Sequence, residues 1–187
     1  MATKKTAAPT SIKLDIGCGK NKREGFTGVD QYKMAGVDVV LKVGTAKWPW
    51  KDNSVNEVNA SHFVEHLTAD ERVHFYNEAC RVMKPGAKMT VTTPHWASNR
   101  AYGDPTHQWP PVAEMSFYYL SQEWRTEQAP HTDKKWNPKG YSCNLAATWG
   151  YSFTPDLGMR SQEHIQFALQ NYKEAAQDMI CTLTKPM

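Results

Sequence analysis

The sequence predicts an α/β domain built on a mostly parallel sheet, and three observations carry that expectation. Ile12, Leu14 and Ile16 form an apolar run that stops abruptly at Gly17 and Gly19. β-rich runs then recur up to Pro94, separated by loop or helix patterns. One of those connections has a clear start and stop, Thr68-Ala69-Asp70-Glu71 and Lys84-Pro85-Gly86. Alternation of this kind, with right-handed crossovers, produces parallel strands. At 187 residues the chain suits one domain with a sizeable core.

The first strand is Ile12–Ile16, and its two terminal glycines let a ligand approach the backbone. A second short strand ends at Asp30. Val37–Val43, rich in β-branched residues, reads as the third. Asp52-Asn53-Ser54 supplies turn chemistry, and Val55–Ala60 is the fourth strand. Thr68 with Glu71 is a capping-box pattern, and the helix it opens carries Val73, Tyr76, Ala79, Cys80 and Met83 on one face. Lys88–Thr93 is the fifth strand. From Pro94 to about Gly140 the pattern breaks: four of the seven Trp and six prolines lie here, with one short helix after Glu114. A long irregular insertion after a strand reads as a lid or substrate loop. Its four Trp fit either a satellite core under the loop or an aromatic pocket. Tyr141–Phe153 is a further strand, Ser161–Met179 a helix with Ile165, Leu169, Tyr172, Ala176 and Met179 inward, and Ile180–Leu183 the last strand.

Composition narrows the class. Hydrophobic residues at 40% and charged residues at 22% describe a soluble globular protein, and no apolar run approaches the roughly 20 residues of a membrane span. Residues 1–11 have no apolar centre and read as a disordered tail rather than a signal or anchor. Cys18, Cys80, Cys143 and Cys181 form no Cys-x-x-Cys pair, which points to a reducing, cytoplasmic setting and no zinc cage. The net charge of +3 is too small to announce nucleic acid. Residues 1–33 nevertheless carry seven basic against three acidic groups, a pattern usual for a solvated tail and surface lysines.

An acidic residue ending the second strand can accept hydrogen bonds from ribose hydroxyls, so the ligand expected is an adenosine-bearing cofactor. A dinucleotide fingerprint needs a third glycine, where Lys22 stands, and an acid about 20 residues on, whereas Asp30 comes much sooner. The loop is too short for the full helix whose N-terminus a pyrophosphate would want.

Over about residues 12–95 the order of features resembles a class I S-adenosylmethionine-dependent methyltransferase, in the variant with a shortened first helix. Leu14-Asp15-Ile16-Gly17-Cys18-Gly19 is similar to its first motif, and Gly25-Phe26-Thr27-Gly28-Val29-Asp30 to the approach to its ribose-binding acid. Trp48–Ser54, Ser61–Leu67 and Arg81–Gly86 resemble three later motifs in the right order. The resemblance implies a Rossmann-like, mostly parallel seven-stranded sheet with flanking helices, residues 12–187 forming one domain with the insertion at 94–140. It also implies S-adenosyl-L-methionine as cofactor. By position, Asp15, Gly17, Cys18 and Gly19 would hold its methionine end, Cys18 through backbone. Asp30 would take the ribose, Gln31 would lie beside the adenine, and Ser61 and His62 would close the cleft near the sulfonium. Lys42-Val43 stands where the family commonly has an acid and an apolar residue. An ammonium only donates, so Val43 would have to serve adenine through its amide.

Methyl transfer from a sulfonium is a displacement in which the protein mainly aligns and desolvates, with one base to take a proton from the acceptor. His62 and His66, four apart at the cleft rim, are the candidate catalytic residues. No Glu follows the first of them as in the zinc-protease motif, and no metal is expected. His95, Trp96 and His107 are candidate substrate contacts. The acceptor expected is an oxygen or nitrogen of an unidentified small molecule or polymer. A nucleic-acid acceptor is not favoured: the insertion balances five basic with five acidic residues, and the motifs of the base methylases are absent after strand four. A binding module for S-adenosylmethionine or S-adenosylhomocysteine without turnover is the second reading.

Overall fold

The computed structural model describes residues 11–187, and residues 1–10 of the expected tail lie outside that range. Seven strands form one sheet: β1 (Ile12–Ile16), β2 (Thr27–Asp30), β3 (Val39–Val40), β4 (Val55–Ser61), β5 (Met83–Pro94), β6 (Ala146–Phe153) and β7 (Ala176–Thr184). Their order is β3-β2-β1-β4-β5-β7-β6. The first five are parallel, and β7 runs antiparallel between β5 and β6. The helices are α1 (Ala69–Val82), α2 (Arg100–Gly103), α3 (Glu114–Tyr118), α4 (Gln122–Gln128), α5 (Pro155–Gly158) and α6 (Gln162–Asn171). No helix among the described residues is long and apolar enough to cross a membrane. The chain leaves β1 toward β2 and β3, then returns to build β4 and β5 on the other side. Between β1 and β4 the order therefore reverses, the place where open α/β sheets take ligands.

The centre of the sheet is apolar because its strands supply little else. Leu14, Ile16, Val58, Ala60, Met89 and Val91 are almost wholly buried. Phe75 of α1 lies in the same core with its ring 5.6 Å from Trp48 and 5.7 Å from Phe63. Trp48 donates its indole N–H to the Val43 carbonyl. Arg81 grips the Trp48 and Trp50 carbonyls together with Glu78 and Asp52. The Trp48–Ser54 motif is thus clamped to α1, which fixes the loop leaving β3.

The sequence places β1 and the end of β2 correctly, and several later boundaries differ for physical reasons. β3 spans only Val39–Val40, not 37–43, because it is an edge strand pairing on one side and the chain then turns at Lys42, whose carbonyl takes the Thr45 and Ala46 amides. The capping box at Thr68 and Glu71 forms, but the buried face of α1 is Arg72, Phe75, Tyr76, Ala79, Cys80 and Val82, with Val73 only half-buried. Arg72 is drawn inward by the Val64, Glu65 and Gln108 carbonyls. β5 starts at Met83, directly after the helix, and absorbs the Pro85-Gly86 pair at its outer end.

The expected helix at 161–179 is the largest correction. α6 ends at Asn171, Glu174 takes φ +61°, and β7 begins at Ala176. Phe153 pairs with Ala176 while Ser152 pairs with Asp178, so one residue of β7 is bulged. That bulge places buried Ala176 and Met179 three apart, a helical spacing produced by a strand. Tyr172, expected inward, is exposed. β6 starts at Ala146 because residues 141–145 are held elsewhere: Asn77 accepts the Ser142 and Cys143 amides, and Leu120 that of Leu145.

The insertion is more ordered than its composition implied, with three short helices. Three of its Trp residues, Trp96, Trp109 and Trp136, are exposed, whereas Trp124 packs against the Tyr118 and Tyr119 rings at 6.0 and 4.7 Å. Val112, Phe117 and Leu120 join the main core instead.

Candidate functional site

The site is built on the carboxyl ends of β1, β2 and β4. Gly17 turns the chain out of β1 with φ +66°, and a Cβ there would stand 2.3 Å from the Phe63 ring. Only glycine satisfies both demands. Gly19, at φ +53°, donates its amide to Asp30 Oδ2 at 3.1 Å. The Cys18 thiol lies 3.6 Å from the Gly19 carbonyl and 3.9 Å from the Gly36 carbonyl. Burial pushes that thiol's pKa up, and Asp15 and Asp30 add to the shift, so it stays protonated.

Two cavities meet at Gly17. The first, of about 220 Å³, is walled by Val29, Leu41, Val43, Phe63 and Leu67, with Asp30, Gln31, Lys42, His66 and Glu71 at its polar edge. Asp30 accepts from the Tyr32 amide as well as from Gly19. A carboxylate has about four acceptor positions, so two remain for a ligand. Lys42 Nζ lies 3.3 Å from Glu71 Oε1. The second cavity, of about 520 Å³, is lined by Asp15, Ile16, Gly17, Cys18, Asn21, Arg23, Asn59 and Ser61. Asp15 is buried there and accepts from the Arg23 amide and from Asn59 Nδ2. Arg23 spans from the Phe26 ring to Asn59 Oδ1.

Of the residues expected from sequence, Asp15, Gly17, Cys18, Asp30, Gln31, Val43 and Ser61 border one or both cavities, and Gly19 supports Asp30. His62 borders neither. It holds φ +50° at the end of β4, and its Nδ1 sits 3.4 Å from Glu65. The adjacent Glu65 carboxylate raises its pKa against the opposing pull of burial. His66 borders the first cavity and meets His107 edge-on at 4.7 Å. His95 has no exposed surface: Nδ1 accepts from the Ala97 amide and Nε2 faces Glu114 at 3.1 Å. Trp96 lies against the His95 ring and is partly exposed.

Sequence reasoning missed Phe63, Leu41, Leu67 and Glu71 in the first cavity and Asn21, Arg23 and Asn59 in the second. Glu71 carried a signal with another meaning. Its Oε2 closes the capping box on Thr68, while Oε1 faces Lys42 and the cavity. Asn59 had a simple signal, an amide in the central strand next to the Asp15 strand.

Replacing Gly17 by Ala is expected to displace Phe63 and to weaken cofactor binding about 10-fold or more, given the cost of a left-handed non-glycine residue. A Cβ at Gly103 meets nothing within 4 Å, so Gly103→Ala leaves binding unchanged. Calorimetry on both variants checks this. Glu114 gives a pH-dependent prediction. Burial pushes its pKa up, but His95, its own amide and Tyr151 outweigh that and bring it to about 2. A depressed carboxylate stabilises the fold fully above its unfolded value near 4.5, and this is lost as pH falls toward 2. Glu114→Gln should therefore cost about 2 kcal/mol at pH 7, allowing for partial exposure, and its gap to wild type should close between pH 4.5 and 2 in urea melts.

Comparison with known proteins agrees with this geometry. A methyltransferase-domain family model matches residues 14–91. No curated protein matches the sequence. Among solved structures, a SAM-dependent methyltransferase from Archaeoglobus fulgidus superposes with TM-score 0.65 at 20% identity, over 94% of this chain and 86% of that one. A SAM-dependent methyltransferase from Methanosarcina mazei gives 0.55 at 14% identity, over 97% and 95%. Geranyl diphosphate C-methyltransferase from Streptomyces coelicolor, in complex with Mg2+, geranyl diphosphate and S-adenosyl-L-homocysteine, gives 0.53 at 14% identity, over 96% and 72%. These identities speak to fold, and the family model covers the strands that form both cavities. Residues 14–91 of this chain are thus similar to a methyltransferase domain, and its sheet has the Rossmann-like fold of the S-adenosylmethionine-dependent methyltransferases.

Proposed function

We propose that this protein transfers a methyl group to an oxygen or nitrogen of a small-molecule acceptor, binding the cofactor across Gly17. The observation that carries the reading is the contrast between the two cavities that meet there. The first has apolar walls and a carboxylate with spare acceptor capacity, which suits adenosine. The second offers Arg23 to a carboxylate and Asp15 and Asn59 to an ammonium, which suits the amino-acid end of methionine. Glu71 Oε1 is the acceptor for the adenine amino group that Lys42 cannot be. S-adenosylmethionine supplies the electrophilic methyl, which is taken by direct displacement. The chain's own work is to orient, to exclude water and to accept a proton. Ser61 stands at the strand end between the cavities and the insertion. His62, beside Glu65 at the end of β4, is the group that takes the acceptor's proton, and His66 lines the first cavity.

The insertion at 94–140 serves as the lid, with Trp96 and His107 facing the acceptor and His95 holding its base through Glu114. Its balanced charge supports a small acceptor over nucleic acid. The Streptomyces coelicolor protein, of the same fold, carries a small acceptor in its structure. Four cysteines without a Cys-x-x-Cys pair support a cytoplasmic setting.

Calorimetry with S-adenosylmethionine, S-adenosylhomocysteine and NAD should show binding of the first two only, weakened about 10- to 100-fold by Asp30→Ala. Binding of NAD alone would sink the proposal. Radiolabelled cofactor incubated with cell extract should label a small-molecule fraction, with His62→Ala slowing transfer about 100-fold or more at unchanged cofactor affinity. Persistent binding with no transfer to any fraction favours the non-catalytic reading, and label in nucleic acid overturns the small acceptor. For adenine, Thr68→Ala loses the cap alone, about 1 kcal/mol of stability. Glu71→Ala should in addition weaken S-adenosylmethionine about 10-fold. Equal affinities in the two variants would remove Glu71 from the site.

A further inference from the structure

The short 3-10 turn after β4 and the 104–107 turn of the insertion bring together residues far apart in sequence. Ligand atoms of Glu65, His66 and His107 all lie within 4.8 Å of one another, the one such trio of metal-ligating side chains among the described residues. We propose that these three residues hold a divalent first-row transition-metal ion of the zinc type, leaving one position open to an oxygen ligand.

The unusual member is Glu65. Its side chain is 5% exposed, and neither carboxylate oxygen has a hydrogen-bond partner. His62 Nδ1 at 3.4 Å faces only Oε1, which leaves Oε2 buried with no partner, and a buried carboxylate paired on one oxygen alone is costly. A cation bound between Glu65 and the two imidazoles removes that cost. The histidines are also set in the correct form. Thr106 spends its one hydroxyl proton on Asp104 at 2.7 Å, so in its 3.0 Å contact with His66 the proton comes from His66 Nδ1. His107 Nδ1 faces the Ala101 carbonyl, which can only accept, at 3.2 Å. Both rings therefore carry their proton on Nδ1 and leave Nε2 free to coordinate, that of His107 lying 3.8 Å from Asp104 Oδ2. Outer hydrogen bonds of this kind fix the tautomer of metal-binding histidines.

The backbone holds the trio in place independently of any ion. The Gln108 amide donates to the Glu65 carbonyl at 2.8 Å, and buried Arg72 ties the Val64 and Gln108 carbonyls together. Tetrahedral coordination needs bonds of about 2.0–2.1 Å and ligand separations near 3.3 Å, which small side-chain rotations supply from the present spacing. Two imidazoles and a carboxylate favour zinc or a similar ion over magnesium or calcium. Three protein ligands with an open position are the pattern of a reactive rather than a purely structural site. His66 also borders the first cavity, so the open position lies at the rim of the cofactor site. That it receives an acceptor oxygen rests on the methyltransferase reading; the ion site itself does not.

The full chain, stripped with chelator, is titrated with Co2+ by visible absorbance and with Zn2+ by calorimetry. One equivalent should bind, with the intense visible bands of tetrahedral cobalt. Glu65→Gln and His107→Ala should each weaken binding at least 100-fold, while His131→Ala, at an exposed position of the insertion, leaves it unchanged. Circular dichroism verifies folding; the half-buried His107 keeps the test decisive should Glu65→Gln misfold. No uptake by wild type, or wild-type affinity in His107→Ala, would overturn the site. S-adenosylmethionine is titrated into the same samples. Cofactor binding without metal binding rejects the ion alone, and metal binding without cofactor binding rejects the methyltransferase reading alone.

Discussion

Phe63 packs against a glycine, and much of the molecule follows from that contact. Gly17 ends β1 and Phe63 follows the end of β4, so their packing joins the two strands between which the sheet order reverses. The ring walls the first cavity on one side and touches Phe75 of α1 on the other. A side chain at position 17 would force the ring away and, with it, the 3-10 turn that carries Glu65 and His66. The floor of the first cavity and the position of the histidines beside it are therefore set by one missing Cβ.

Arg72 performs the second fixing role. A buried guanidinium requires several acceptors, and here they are carbonyls of Val64, Glu65, Gln108 and Pro110. These belong to two segments more than forty residues apart, the turn after β4 and the middle of the insertion. Burial lowers the pKa of Arg72, yet from an ordinary value so high that the group stays charged. The insertion is consequently anchored at its centre as well as near its start, where Glu174 receives the Ser98 hydroxyl and the Asn99 amide.

Legibility in the sequence tracks the range of the interactions. β1, the end of β2 and the capping box of α1 are local patterns, and each was readable from a few adjacent residues. The bulge in β7 is equally local in effect but was invisible, because a strand with one extra residue copies the spacing of a helix at Ala176 and Met179. Within the site, Asp15, Gly17 and Asp30 stood out because turn and strand-end chemistry restricts the residue types allowed. Phe63 and Glu71 did not, since a phenylalanine after a strand and a glutamate in a capping box already had sufficient local explanations.

The same distinction separates the two halves of the site. The proposed cofactor half is made of backbone: glycine turns, amides and strand ends, whose requirements leave marks in consecutive residues. The proposed acceptor half is made of side chains that meet only after folding. Thr106 and His66 are forty positions apart, and so are the reasons for either. A histidine in an irregular loop has no periodicity to betray it, and its tautomer is determined by a carbonyl that no sequence pattern identifies. What exposes this half is an energetic anomaly, the carboxylate of Glu65 buried without a hydrogen bond. Folding tolerates such a group only when something else in the site compensates it, so the least legible part of the chain is also the part whose chemistry the structure constrains most tightly.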